Sequence, residues 1–167
     1  MRRVAFGLGA NLGDRVAALQ GAVDALVPHL RAPVVSSIYE TAPVGGPEQP
    51  DYANAVLVGD SDEPAGVLLA RAHDAEARWL RTREVRWGPR TLDVDVLAVG
   101  DEVSDDPGLL LPHPRAHERA FVLVPWAEAD PAAVIPGAGR VADLAALVDT
   151  ASDGVRRRDD VALVVRR

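Results

Sequence analysis

Residues 92 to 96 alternate strictly: Leu92, Val94 and Val96 are apolar, and Asp93 and Asp95 stand between them. A period of two is that of a strand buried on one face, so this stretch has to lie in a sheet with its aliphatic side chains in a core. Its two carboxylates then share the other face, roughly 7 Å apart. Carboxylates that close repel each other unless a cation or a proton lies between them, and hard oxygen donors with no histidine at the same spacing suit Mg²⁺ better than zinc. The loop before the strand brings Arg81, Arg83, Arg86 and Arg90 against one acid, Glu84, sets Trp87 among them, and closes with a Gly88-Pro89 turn. Guanidinium groups beside a carboxylate-held metal complement a phosphate-bearing substrate. A solvated sheet face generates the same Asp-x-Asp spacing, and it is the arginine loop that turns the reading toward a site.

Length and charge bound the rest. The 167 residues read as a single domain over 1–167 with a full core. With 18 basic against 25 acidic residues the net charge is -7, which disfavours a general nucleic-acid surface and leaves room for a small polyanion in a local basic pocket. Every basic residue is arginine, so a P-loop lysine, a Schiff base and a lysine general base are excluded. The absence of cysteine removes disulfides, thiolate nucleophiles and Cys-ligated zinc. Met1-Arg2-Arg3 runs straight into a short strand-like segment, and no stretch approaches the ~18 apolar residues of a membrane span. The expectation is a cytoplasmic monomer with small-molecule partners, no nucleic acid and no membrane.

In chain order, Val4, Phe6 and Leu8 predict a first strand ending at Gly9-Ala10-Asn11-Leu12-Gly13. Asp14 then caps a helix whose stripe of Val16, Leu19, Val23, Leu26, Val27 and Leu30 runs to Pro33. The glycine turn would serve either as a phosphate cradle at the helix start or as a plain tight turn. Residues 34–41 predict a second strand, and 42–51, with three prolines and two glycines, a loop. Tyr52, Asn54 and Val56 share one face of a third strand over 52–58, which suits a flat heterocycle as well as an ordinary half-buried sheet face. A second helix begins near Asp62 and Pro64, with Val67, Leu68, Ala72, Ala75 and Trp79 inward, Arg71, Glu76 and Arg78 toward water, and His73 within it. Gly100-Asp101-Glu102 reads as a hairpin turn. His113, Arg115, His117 and Arg119 form a second set of phosphate donors, since neither a cysteine nor an H-E-x-x-H pattern supports zinc. The tail reads as a punctuated link over 131–139, a helix over 141–149, a solvated turn at Arg156-Arg157-Arg158 and a last strand over 161–165.

The order β, α, β, β, α, β with a tail predicts an α+β fold: a ferredoxin-like core whose antiparallel or mixed sheet has helices packed on it. Five segments resemble the 6-hydroxymethyl-7,8-dihydropterin pyrophosphokinase family: residues 9–13, 39–45, 50–55, the R-W-G-P-R-T-L-D-V-D stretch over 86–95, and 111–121. The resemblance implies pyrophosphoryl transfer from ATP, as co-substrate, to the pterin hydroxymethyl group in folate biosynthesis. It implies two Mg²⁺ ions on Asp93 and Asp95, and the triphosphate held by Arg81, Arg83, Arg86, Arg90, His113 and Arg119. Tyr52 and Phe121 would sandwich the pterin, Asn54 would bond its edge, and Thr41, Pro43 and Val44 would line its pocket. His73, Glu76 and Trp87 match positions near the nucleotide or the loop. Ala10, Ala42, Leu80 and Pro114 depart from the family's serine, proline, glycine and aromatic residue. Of these, Leu80 would remove a positive-φ option at the entry to the catalytic loop. A non-catalytic ligand-binding module fits the same fold, and Mg²⁺-dependent AMP release from ATP separates it from the transferase. A metal-dependent nuclease would use the same aspartates but lacks a basic track, and a steep salt slope for oligonucleotide binding would be its mark.

Overall fold

Large aliphatic side chains on one side of the first strand and small residues on the other set the architecture. In a computed structural model that describes residues 1–42, 51–82, 91–148 and 154–166, β1 (Arg2–Ala10) buries Val4, Phe6, Leu8 and Ala10 in one core, while Ala5 joins a second core on the opposite face. Then come α1 (Arg15–Leu26), β2 (Arg31–Val35), β3 (Ile38–Thr41), β4 (Tyr52–Ser61), α2 (Ala65–Thr82) and β5 (Asp93–Val99). The rest of the chain forms β6 (Ser104–Asp106), β7 (Leu109–Leu111), α3 (Ala120–Ala129), β8 (Val134–Ile135), β9 (Gly139–Arg140), α4 (Val141–Leu147) and β10 (Arg156–Arg158). The main sheet runs β10-β3-β4-β1-β5, with β2 also paired to β4, and these pairs are antiparallel. Leu19, Val23 and Leu26 of α1 and Leu68, Ala72 and Trp79 of α2 fill the first core; Val122, Leu123 and Trp126 of α3 fill the second with Val56, Val58 and Leu97. This is the ferredoxin-like order with a helical layer added on the second face.

Local chemistry explains where elements stop. Asp14 caps α1 by accepting the Ala17 N–H at 3.0 Å. The helix ends at Leu26 rather than near Pro33, because Pro28 has no N–H to continue it and the chain makes a short 3-10 turn over Val27–His29. The expected strand over 34–41 is two strands: β2 and β3 both lie along β4, broken where Ser36 Oγ accepts the Val56 N–H at 2.9 Å. Gly100 and Asp101 do turn the chain, but the hairpin lies further on, β6 pairing with β7 around Pro107-Gly108. There Asp106 Oδ1 accepts the Gly108 N–H at 2.9 Å, the habit of aspartate in turns.

Other differences come from tertiary packing. The run Ala120–Ala129 is a helix despite Val122, Val124 and Pro125, all poor helix formers; burial of its apolar surface decides against propensity. Arg156–Arg158 is a strand, not a turn, since the edge of β3 offers it backbone partners. The last segment lies extended with Leu163 buried, yet forms no strand; its backbone at Val164 is bonded to the Gln20 side chain of α1 at 2.7 and 2.9 Å. Val67 is 39% exposed rather than inward. Leu80 is 55% exposed inside α2, where a positive φ has no use. Leu80→Gly is therefore expected to lower stability by about 1 kcal/mol through helix propensity, as urea unfolding would measure, with turnover unchanged. Among the described residues no helix is long and apolar enough to cross a membrane.

Candidate active site

Three neighbouring strands supply the floor of a cleft on the sheet face that carries α3. Gly9 of β1 stands in register between Asn54 of β4 and Asp93 of β5, and Gly7 between Val56 and Asp95. Residues in register present their side chains together on one face, so two missing side chains open a trough between an amide and apolar strip on β4 and the two carboxylates of β5. A Cβ at Gly9 would lie 3.4 Å from Asn54 Oδ1, and one at Gly7 3.1 Å from Leu97 Cδ2. The cavity, about 890 Å³, is walled by Thr41, Tyr52, His113, Arg119 and Phe121. That volume lies within the range of small-molecule sites.

The β4 wall is rigid. Asn54 is 5% exposed and donates from Nδ2 to Thr41 Oγ1 at 3.0 Å, which fixes the amide plane against the cross-strand neighbour of Tyr52. Opposite, the Arg119 guanidinium lies over the Phe121 ring, 5.6 Å from its centre.

On the β5 wall negative charge accumulates. Burial, and then the neighbouring Asp95 carboxylate, push Asp93 above the usual carboxylate range. Behind the sheet Glu76 is pushed up as well, first by burial and further by Asp93 and Asp95, even though its carboxylate accepts the Val94 N–H at 2.9 Å. His113 faces this wall, with Nε2 4.0 Å from Asp95. Its backbone N–H donates to Leu97 O at 2.9 Å and its Nδ1 accepts the Arg115 N–H at 3.2 Å, leaving Nε2 to carry the proton. Burial holds the imidazole below its ordinary pKa against the pull of Asp95, with Arg119 and Arg115 adding to the lowering, so a neutral N–H donor faces the cleft. Among the described residues no group of three or more His, Asp or Glu could hold a metal alone. Two hard carboxylates on one strand face, one of them pushed up by burial and by its neighbour's charge, fit an ion such as Mg²⁺, which completes its shell with phosphate and water.

The fold thus brings Thr41, Tyr52, Asn54, Asp93, Asp95, His113, Arg119 and Phe121 to one cleft. Arg115 also lines it, paired with Glu118 at 2.9 Å, whereas His117 does not. His73 is exposed on α2 away from the cleft, and Glu76, expected toward water, is half-buried and docked on β5. Pro43, Val44, Arg83, Arg86, Trp87 and Arg90 lie outside the described residues, as does the side chain of Arg81 at the end of α2. In the glycine turn the N–H groups of Asn11 and Leu12 donate to Thr91 Oγ1 at 2.9 and 3.3 Å, so the threonine takes the donors a phosphate cradle would need. Gly7 and Gly9, the latter read only as the start of the glycine turn, and Glu118 and Gly154 are cleft residues not expected there from the sequence. For the first two a signal existed, since glycines at i and i+2 of a strand bare one face.

A family model for 7,8-dihydro-6-hydroxymethylpterin-pyrophosphokinase (HPPK) matches residues 5–131. The 2-amino-4-hydroxy-6-hydroxymethyldihydropteridine pyrophosphokinase of Mycobacterium tuberculosis is 44% identical over 150 residues, covering 83% of this chain and 78% of that protein. The protein of the same name from Methylorubrum extorquens is 46% identical over 140 residues, covering 82% and 88%. Among solved structures, the wild-type Plasmodium falciparum HPPK-DHPS with pteroate matches at a TM-score of 0.62 and 13% identity, over 87% of this chain and 42% of that one. The chain therefore spans under half of that longer protein, and at this identity the likeness concerns the fold alone.

Proposed function

The chain belongs to the 7,8-dihydro-6-hydroxymethylpterin-pyrophosphokinase family, whose transfer of pyrophosphate from ATP to hydroxymethyldihydropterin serves folate biosynthesis, and we propose that its cleft performs this transfer with the pterin on the β4 and α3 wall and the triphosphate on the β5 wall. The observation that carries this division is the glycine trough, which sets Asn54 and the Asp93–Asp95 pair on its two banks. Tyr52 and Phe121 stack on the pterin, and the Asn54 amide, held by Thr41, bonds the ring edge. Asp93 and Asp95 would hold two Mg²⁺ ions, which when bound would supply charge neutralisation around the reacting phosphorus. His113 Nε2–H and the Arg119 and Arg115 guanidiniums face the phosphates, joined by Arg81 from the end of α2 and by Arg83, Arg86, Arg90 and Trp87 from the loop that follows.

In the reaction the hydroxymethyl oxygen bonds to the β-phosphorus while that phosphorus parts from the oxygen bridging it to the α-phosphate. AMP leaves and the hydroxyl proton is released. Such a transfer asks for alignment and charge neutralisation rather than a protein nucleophile, which agrees with a chain lacking lysine and cysteine. A cytoplasmic setting agrees with ATP as the co-substrate.

The test is incubation with ATP, Mg²⁺ and the pterin, scoring AMP against ADP. Tyr52→Ala is expected to weaken pterin binding about tenfold, as calorimetry would measure, and to leave an ATP analogue bound as before. Phe121→Ala should weaken both ligands, because Arg119 rests on its ring. Equal losses of both ligands in Tyr52→Ala would make that residue part of the core instead.

A further inference from the structure

The C-terminal strand is fastened behind the pterin wall by arginines that the transfer itself does not use. β10 pairs with β3, setting Arg156 against Glu40 and Arg158 against Ile38. Strand alternation turns Glu40 to the face opposite Thr41. There its carboxylate, 13% exposed, meets Arg15 at 2.9 Å, Arg158 at 2.7 Å and Arg156 at 3.4 Å. Arg156 also pairs with the Asp51 carboxylate, and Arg15 donates to the Asp51 carbonyl at 2.7 Å. Burial pushes the Glu40 carboxyl up, but Arg158 and Arg15 more than reverse it, so the group stays ionised.

What these arginines grip is adjacent to the cleft. Asp51 directly precedes Tyr52, and Glu40 directly precedes Thr41. Thr41 and Tyr52 are cross-strand partners, and Thr41 carries the Asn54 amide. Gly154, two residues before Arg156, itself lines the cleft. The ladder of a three-residue strand does not by itself offset the cost of ordering it, so the ion pairs fasten β10, and they do so on the residues flanking the pterin wall.

We propose that the cluster of Arg15, Glu40, Asp51 and Arg156 is a positioning device for the pterin subsite, one that sets Tyr52, Thr41 and, through Thr41, Asn54, and so makes the C-terminal strand part of the substrate site. This rests on the assignment of Tyr52 and Asn54 to the pterin. Arg156 is a positioning residue, touching no substrate, and at 61% side-chain exposure its replacement leaves the core intact.

Steady-state kinetics on full-length Arg156→Gln, Arg156→Lys and Tyr52→Ala provide the test. Arg156→Gln should raise the KM for the pterin about fivefold while kcat and the KM for ATP stay as they are and Tm moves by less than about 2 °C. Arg156→Lys, which restores a cation opposite Asp51, should recover most of the loss. An unchanged pterin KM in Arg156→Gln beside a raised one in Tyr52→Ala overturns the positioning role and leaves the site assignment standing. If neither variant changes the pterin KM, both fall. A parallel rise of both KM values with a falling Tm also overturns the proposal, because it marks general loosening.

Discussion

Asp93→Asn and Asp95→Asn are each expected to lose about a thousandfold or more in pyrophosphoryl transfer, while the metal-free protein should unfold at the same temperature as the parent or slightly above it. Both carboxylates stand on one face of β5, in register with the bare backbone of Gly9 and Gly7. An amide keeps the size and one carbonyl oxygen but offers Mg²⁺ no charge. Without metal the same charge is a burden, since Asp93 is pushed up by burial and then by Asp95; neutralising either relieves that strain. Asp95→Asn also gives up the 4.0 Å approach to His113, a small loss because the imidazole is held toward its neutral form. Thermal unfolding with and without Mg²⁺ and an ATP analogue reads the outcome, and ligand-induced stabilisation should shrink strongly in both variants. A solvated sheet face would leave activity and stability unmoved, and a structural ion pair would make them fall together. Full Mg²⁺-dependent stabilisation and normal AMP production in either variant would remove the metal assignment.

Gly9→Val is the second large effect: kcat/KM is expected to fall about a hundredfold or more with stability little changed. Gly9 has no positive φ, so a β-branched residue can adopt its strand conformation. Among the described residues its Cβ would meet only Asn54 Oδ1, at 3.4 Å. The two methyl groups would then occupy the trough between Asn54 and Asp93, where the pterin hydroxymethyl and the triphosphate have to approach each other. Gly13 supplies the contrast. With φ at 83° it is the glycine that turns the chain into α1, and Gly13→Val should cost about 1–2 kcal/mol of stability through backbone strain. Kinetics and thermal melts on the pair separate the two roles. Retained activity in Gly9→Val would show that the substrates do not meet over β1.

Patterns with a short period were legible in the sequence by itself. The alternation over 92–96 gave β5 and the shared face of its aspartates, the same period put Tyr52 and Asn54 together on β4, and Asp14 announced the start of α1. Each depends on neighbours within one turn or one pleat, where the chain's own geometry fixes which side chains share a face. The arginine-rich loop and the resemblance to the family pointed to phosphate chemistry, and the family matches agree.

Only the tertiary structure decided what lies beside what. That Gly9 comes between Asn54 and Asp93 is a matter of strand order and register across distant parts of the chain. The break at Ser36, the helix over Ala120–Ala129 and the docking of Glu76 on Val94 depend on partners far away in sequence. The tail shows the physical reason most plainly. Arg156–Arg158 reads as charged surface and the apolar alternation over 161–165 as a strand, yet the free edge of β3 takes the arginines while the later segment buries Leu163 in the core and bonds its backbone to a side chain of α1. A strand exists only where an edge offers hydrogen bonds, and no local pattern records where that edge is.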